Sequence, residues 1–173
     1  APRDSFLTTE AGVYGRVNLY VWKVYDPTTY FDSSGTNTMG FSIPAGLATS
    51  LVRPEKKTVS LIGDAGMLMR VGDLEVATRL KLAPVVVVFD DTTLGMIRIN
   101  QRSKGYAREG VDIAQPDFVQ IAEGFGAVAT KVNSLEQFES AVGKALDADK
   151  LHVIDVRLEP DAYAAHIKPM RGG

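Results

Sequence analysis

The run Pro84 to Phe89, with four consecutive valines, constrains the fold more than any other segment of the chain. β-Branched side chains fit an extended, pleated surface better than a helix. A strand apolar at every position, rather than at alternate ones, must be covered on both faces, as central strands of parallel sheets are. Covering both faces requires helices before and after it in the chain. The flanking sequence supplies them: helical spacing predicts a helix over Leu68 to Leu80 and another over Asp117 to Phe125.

The same alternation runs along the chain. Short strands are predicted at Phe6 to Thr9 and Tyr30 to Asp32, with longer ones at Thr58 to Ile62, Ala127 to Lys131 and Leu151 to Arg157. Between them lie predicted helices at Gly12 to Val24, Ser42 to Val52 and Leu135 to Leu146. The first should bury Val13, Val17, Tyr20, Val21 and Val24, and Pro44 fits the first turn of the second. Ser34 to Met39 reads as a polar turn, and the basic, glycine-containing Arg98 to Gly110 as a hinge. This order predicts an α/β fold with a mostly parallel sheet in one domain spanning residues 1–173.

A chain of 173 residues with a net charge of −2 can bury a sizeable core and is a poor general nucleic-acid binder. It has no cysteine, which excludes disulfide and thiolate chemistry and is compatible with a cytoplasmic protein. No apolar stretch reaches the roughly 18 residues of a membrane span. The opening residues lack the apolar core of a signal peptide, and the absence of an initial Met suggests a piece of a longer polypeptide.

In such folds ligands bind beyond the carboxyl ends of the strands, where the strand order reverses. Asp64 lies in a Gly63-Asp64-Ala65-Gly66 turn after one predicted strand, and Asp91 follows the next, 27 residues later. Two hard oxygen ligands at one rim suit a divalent cation clamping a diphosphate. Mg²⁺ takes few protein carboxylates and completes its shell with phosphate oxygens and water, and the Thr93 carbonyl offers a third ligand. Small residues at Gly63, Ala65, Gly66 and Gly95 permit close backbone approach, and the helix after Gly63 presents its positive end to an anion. A Gly-Asp-x-Gly turn alone is usually only a turn. Coupling to Asp91 and Gly95 is what gives it chemical meaning.

The pattern Gly-Asp-Ala-Gly followed by Asp-Asp-Thr-Thr-Leu-Gly-Met resembles the thiamine diphosphate motif, usually Gly-Asp-Gly followed by Asn-Asn. The upstream Thr-Asn-Thr-Met-Gly-Phe-Ser-Ile-Pro-Ala-Gly resembles the segment that precedes it in the same enzymes. The likeness extends to the Pro116–Gly126 segment and to the terminal Pro-Met-Arg-Gly-Gly. It is to the C-terminal, cofactor-binding domain of acetolactate-synthase-like 2-oxo acid decarboxylases and carboligases. The resemblance implies a three-layer αβα domain, the thiamine diphosphate-binding fold. It implies Mg²⁺ held by Asp64, Asp91 and the Thr93 carbonyl, and diphosphate against Gly63, Ala65, Gly66, Leu94, Gly95 and Met96. Met39 matches the apolar residue that wedges the cofactor into a V shape. Its N–H and the Asn37 carbonyl would meet the aminopyrimidine.

The resemblance further implies a 2-oxo acid substrate and a homodimer or homotetramer. It also implies an activating glutamate from a pyrimidine-binding domain of the same or a neighbouring subunit. Glu10 and Glu75 do not match that glutamate's motif. This chain departs from the family at three places: Asp90-Asp91 replaces Asn-Asn, Asn37 stands where Gly is usual, and Asn100 falls where biosynthetic acetolactate synthases tend to have Trp. At about 4 Å, each added carboxylate–phosphate pair repels by about 4 kcal/mol at an effective dielectric constant of about 20. An intervening Mg²⁺ offsets most of that, so Asp91 implies a stronger dependence on metal.

Other readings stay open. A non-catalytic Mg²⁺-diphosphate-binding module fits the same motifs, as does a benzoylformate- or oxalyl-CoA-decarboxylase-like enzyme. A dinucleotide-binding domain fits poorly, because no Gly-x-Gly-x-x-Gly follows the first strand. Arg98, Arg102, Lys104 and Arg108 form a basic cluster, read first as a solvated face or subunit contact and second as a carboxylate attractor. His152 and Trp22 read as structural, and His166 falls in a C-terminal tail that would fold over the active site in relatives, with a catalytic role only its second reading.

Overall fold

The computed structural model describes residues 1–33 and 35–160. Six strands form one sheet: β1 (Phe6–Thr8), β2 (Tyr30–Phe31), β3 (Thr58–Gly63), β4 (Val85–Asp90), β5 (Val128–Val132) and β6 (His152–Arg157). Their order is β2-β1-β3-β4-β6-β5, and every ladder is parallel. The valine run forms β4, with β3 on one side and β6 on the other, as its composition requires.

Strand alternation divides β4 between two cores. Val86 and Val88 pack with Ile43 and Leu47 of α2 (Ser42–Val52), Met67 of α3 (Asp64–Arg70), Leu74 and Ala77 of α4 (Asp73–Arg79), and Phe118 and Ala122 of α6 (Phe118–Gly124). Val85 and Val87 face the other side, with Leu7, Ile154, and Ala141 and Ala145 of α7 (Leu135–Asp147). Trp22, just past α1 (Val13–Val21), packs against this second core, the packing role its sequence suggested. The result is the expected three-layer αβα arrangement, with a sheet that is wholly parallel.

Three local expectations need correction. The helix expected over Leu68 to Leu80 is two, broken at Val71-Gly72, and the first begins at Asp64. Gly72 is a poor helix interior residue, and Asp73 and Glu75 favour a fresh N-terminus there. The first part of the expected hinge, Arg98 to Ser103, belongs to a helix, α5 (Gly95–Ser103). Finally, α1 turns Val13, Tyr14, Gly15 and Asn18 inward, while Tyr20, Val21 and Val24 are exposed. Apolar spacing marks a helix, but this one carries apolar residues on more than one face.

The strand order reverses between β1 and β3. The chain leaves β1 through α1 to β2 on one side, then returns through α2 to β3 on the other. A buried hydroxyl network locks this switch point. Thr8 Oγ1 donates to the Ser42 carbonyl at 2.9 Å and lies 2.9 Å from Ser60 Oγ, while Ser42 Oγ donates to the Thr8 carbonyl at 3.0 Å. Gly46 allows α2 to approach this closely, since a Cβ there would lie 2.0 Å from Ser60 Oγ.

Candidate functional site

Beyond the carboxyl ends of β1, β3 and β4 lies a cavity of about 90 Å³. It is lined by Glu10, Met39, Gly63, Asp64, Ala65, Gly66, Asp91, Thr93, Leu94, Gly95 and Met96, among others. A groove of about 450 Å³ adjoins it, sharing Glu10, Met39 and Met96 and adding Arg16, Asp32 and Asn37. Ten of the eleven residues singled out from sequence therefore line the cavity, and Asn37 lines the groove beside it.

Each residue reaches the rim for a local reason. Asp64 is the first residue of α3, where a carboxylate complements the helix dipole. Its Oδ1 accepts the Ala65 N–H at 2.6 Å, and its buried Oδ2 has no hydrogen-bond partner. Asp91 Oδ1 accepts the Thr93 N–H at 3.1 Å. The loop after β4 is pinned to the segment around Val111: the Leu94 N–H donates to the Val111 carbonyl at 2.8 Å, the Ile113 N–H to the Thr92 carbonyl at 3.0 Å, and Thr93 Oγ1 to the Val111 carbonyl at 2.9 Å. These bonds hold Thr92 at φ 57°, a costly conformation for a β-branched residue. The strain sits between Asp91 and Thr93. The Thr93 carbonyl already accepts the Gly95 N–H at 2.8 Å, which leaves it one lone pair for another partner.

Two buried carboxylates in one small cavity perturb each other. Burial pushes Asp64 up to about 7, with the charges of Asp91 and Asp90 adding to the shift and the Ala65 N–H opposing it. Burial pushes Asp91 up to about 6, with Asp90 adding and the Thr93 N–H and Arg98 opposing. Among the described residues, no three His, Cys, Asp or Glu side chains cluster as a metal site.

Asn37 explains its own departure from the family's Gly. It adopts φ 51°, the left-handed region that Asn tolerates better than other non-glycine residues. Its N–H donates to the Ser33 carbonyl at 2.6 Å. Of the basic cluster, Arg98 acts electrostatically on Asp91, Arg108 pairs with Asp112, and Lys104 lies over the Tyr106 ring. Asn100 is half-buried on α5. His152 opens β6 with its Nδ1 3.0 Å from the Lys150 carbonyl, a structural role. His166 and the terminal Pro-Met-Arg-Gly-Gly lie outside the described residues.

Sequence reasoning missed Glu10 and Tyr14. Glu10 is 5% exposed, lines both the cavity and the groove, and is pushed up to about 7 by burial. Tyr14 stacks on Phe89 with ring centroids 4.7 Å apart and donates to Glu10 Oε1 at 3.4 Å. The available signal was position: Glu10 follows β1, one of the two strands at the switch point.

Residues 10–156 match the family described as "Thiamine pyrophosphate enzyme, C-terminal TPP binding domain". The chain belongs to that family. Among curated relatives of this thiamine pyrophosphate-binding domain, it is 35% identical over 138 residues to acetolactate synthase of Bacillus subtilis (strain 168), covering 80% of the chain and 24% of that protein. It is 29% identical over 177 residues to acetolactate synthase isozyme 3 large subunit of Escherichia coli (strain K12), covering 98% and 30%. The thiamine diphosphate-dependent 4-hydroxybenzoylformate decarboxylase of Rhodococcus jostii RHA1 superposes with a TM-score of 0.85 at 27% identity, over 92% of this chain and 30% of that one. The chain thus spans under a third of the length of these relatives. Among the described residues, no helix is long and apolar enough to cross a membrane.

Proposed function

We propose that this domain binds thiamine diphosphate through Mg²⁺ and serves an acetolactate-synthase-like enzyme that decarboxylates or carboligates 2-oxo acids. The observation that carries the metal assignment is the Asp64–Asp91 pair. Two buried carboxylates with raised pKa values, one with an unpartnered oxygen, line a cavity at the ends of β3 and β4. A divalent cation relieves their mutual repulsion and satisfies the free oxygen. The donor set fits Mg²⁺: all hard oxygens, and too few to fill the shell without phosphate and water. Asp64, Asp91 and the Thr93 carbonyl would hold it.

The surrounding residues suit the rest of the cofactor. Ala65 and Gly66 lie in the first turn of α3, and Gly95 and Met96 begin α5, so two helix starts line the cavity where the diphosphate would lie. Met39 borders both cavity and groove, which supports reading it as the apolar side chain between the two halves of a folded ligand. Bound thiamine diphosphate supplies the carbanion chemistry of 2-oxo acid cleavage, and the protein supplies shape and electrostatics. Exposed Leu19 lines the groove, and exposed Tyr20 and Val21 follow it on α1, an apolar surface suited to a pyrimidine-binding domain of the same or a neighbouring subunit.

Calorimetric titration of thiamine diphosphate with and without Mg²⁺, then a panel of 2-oxo acids on the full-length protein, tests the proposal. Metal-dependent binding followed by CO₂ release is expected. Metal-independent binding removes the role of the aspartates. Binding without CO₂ release from any 2-oxo acid supports a non-catalytic module instead.

A further inference from the structure

We propose that Glu10 is a positioning residue that ties the turn carrying Met39 to the start of α3, which carries Asp64 and Gly66. The inference rests on reading the cavity as a thiamine diphosphate site, whose two ends that turn and that helix start would hold. Glu10 Oε2 accepts the Ser42 N–H at 3.2 Å, and the backbone N–H groups of Gly40 and Phe41 favour the charged form of the same carboxylate. These three residues directly follow Met39. On its other side, Glu10 Oε1 sits where a Cβ on Gly66 would come within 2.0 Å, so the carboxylate fills the space that Gly66 leaves open. The Tyr14 hydroxyl bonds the same oxygen, and the Tyr14 ring lies 3.3 Å from where a Cβ on Gly63 would be.

One side chain at the switch point therefore touches both the turn after β2 and the start of α3. A buried carboxylate beside an anion-binding cavity is an unfavourable choice for mere packing, and an apolar side chain would fill the volume without the desolvation cost. What an apolar residue cannot do is accept N–H groups from the turn after Met39. Because its oxygens are engaged by these donors, Glu10 acts through Met39 and Gly66 and not on a substrate. It fixes the separation of the apolar wedge from the start of α3, which matters only for a ligand that spans both.

The test separates a spanning ligand from a short one. In the full-length protein with saturating Mg²⁺, calorimetry measures thiamine diphosphate and inorganic pyrophosphate separately for wild type, Glu10→Gln and Glu10→Met. Glu10→Met keeps the volume and removes the acceptors. It should weaken thiamine diphosphate about tenfold while leaving pyrophosphate within about twofold, a split that general destabilisation would not produce. Glu10→Gln keeps one acceptor oxygen and should lie between, at about threefold. Should Glu10→Met fail to give a cooperative melt, Glu10→Gln decides alone. Equal loss for both ligands, or no loss for thiamine diphosphate in Glu10→Gln, overturns the proposal. A wild type that binds pyrophosphate but not thiamine diphosphate overturns the cofactor reading itself.

Discussion

Thr92 shows how single residues at the rim are held against their own preference. Its φ of 57° is disfavoured for a β-branched side chain, and the hydrogen bonds to the Val111 segment keep it there. Thr92→Gly should therefore raise unfolding stability by about 1 kcal/mol in urea titrations. A loss of stability would mean that the loop is not strained. Asp91 makes a second prediction. Asp91→Asn removes one of the two proposed anionic ligands and one source of repulsion for the proposed diphosphate. It should weaken Mg²⁺ about tenfold in the presence of thiamine diphosphate, read by calorimetry. An unchanged metal requirement would show that the carboxylate is not a ligand. Asp64 and Asp91 were legible from sequence because strand ends and motif spacing are local. The left-handed Asn37 was visible only as a departure, since backbone conformation is not written in residue type.

At the scale of elements, the pairing of β4 with β6 brings together charges that lie far apart in sequence. Asp90 is buried and pairs with the Arg157 guanidinium, its register partner across the ladder. The departure from Asn at position 90 thus has a structural partner. Arg157→Met strands a buried carboxylate and should cost about 3 kcal/mol, and Asp90→Asn combined with Arg157→Met should recover most of it. Additive losses in that double-mutant cycle would show that the two do not interact. The α2 contact gives a simpler test. Gly46→Ala drives a methyl into Ser60 Oγ and should destabilise by about 1–3 kcal/mol, seen as a lower urea midpoint. Helix α2 and the valine strand were legible in full because their local patterns agree with their surroundings. The face of α1 was not, because Tyr20, Val21 and Val24 have helical spacing but do not meet the sheet.

Over the whole molecule, the buried carboxylates couple stability to pH. Glu10 and Asp64 rise to about 7 and Asp91 to about 6 in the folded state, from ordinary values of 4.5 and 3.8. The folded chain then holds protons that the unfolded chain has lost. Stability from these groups is fully present below about pH 4, falls as pH rises toward about 7, and levels off above that. Without ligand, the urea midpoint should fall between about pH 5 and pH 7, and Mg²⁺ with thiamine diphosphate should restore it at the higher pH. A midpoint that stays flat without ligand would show that these groups are not desolvated. The sequence by itself determined the strands and most helices, the wholly covered centre of the sheet and the place of Asp64 and Asp91 at its rim, because propensity, apolar period and turn chemistry act over a few residues. Only the tertiary structure decided the strand order. That order sets β1 beside β3 and brings Glu10 and the Met39 turn against Asp64, because which strands pair depends on how helices cross the sheet, a long-range packing outcome that no local pattern encodes.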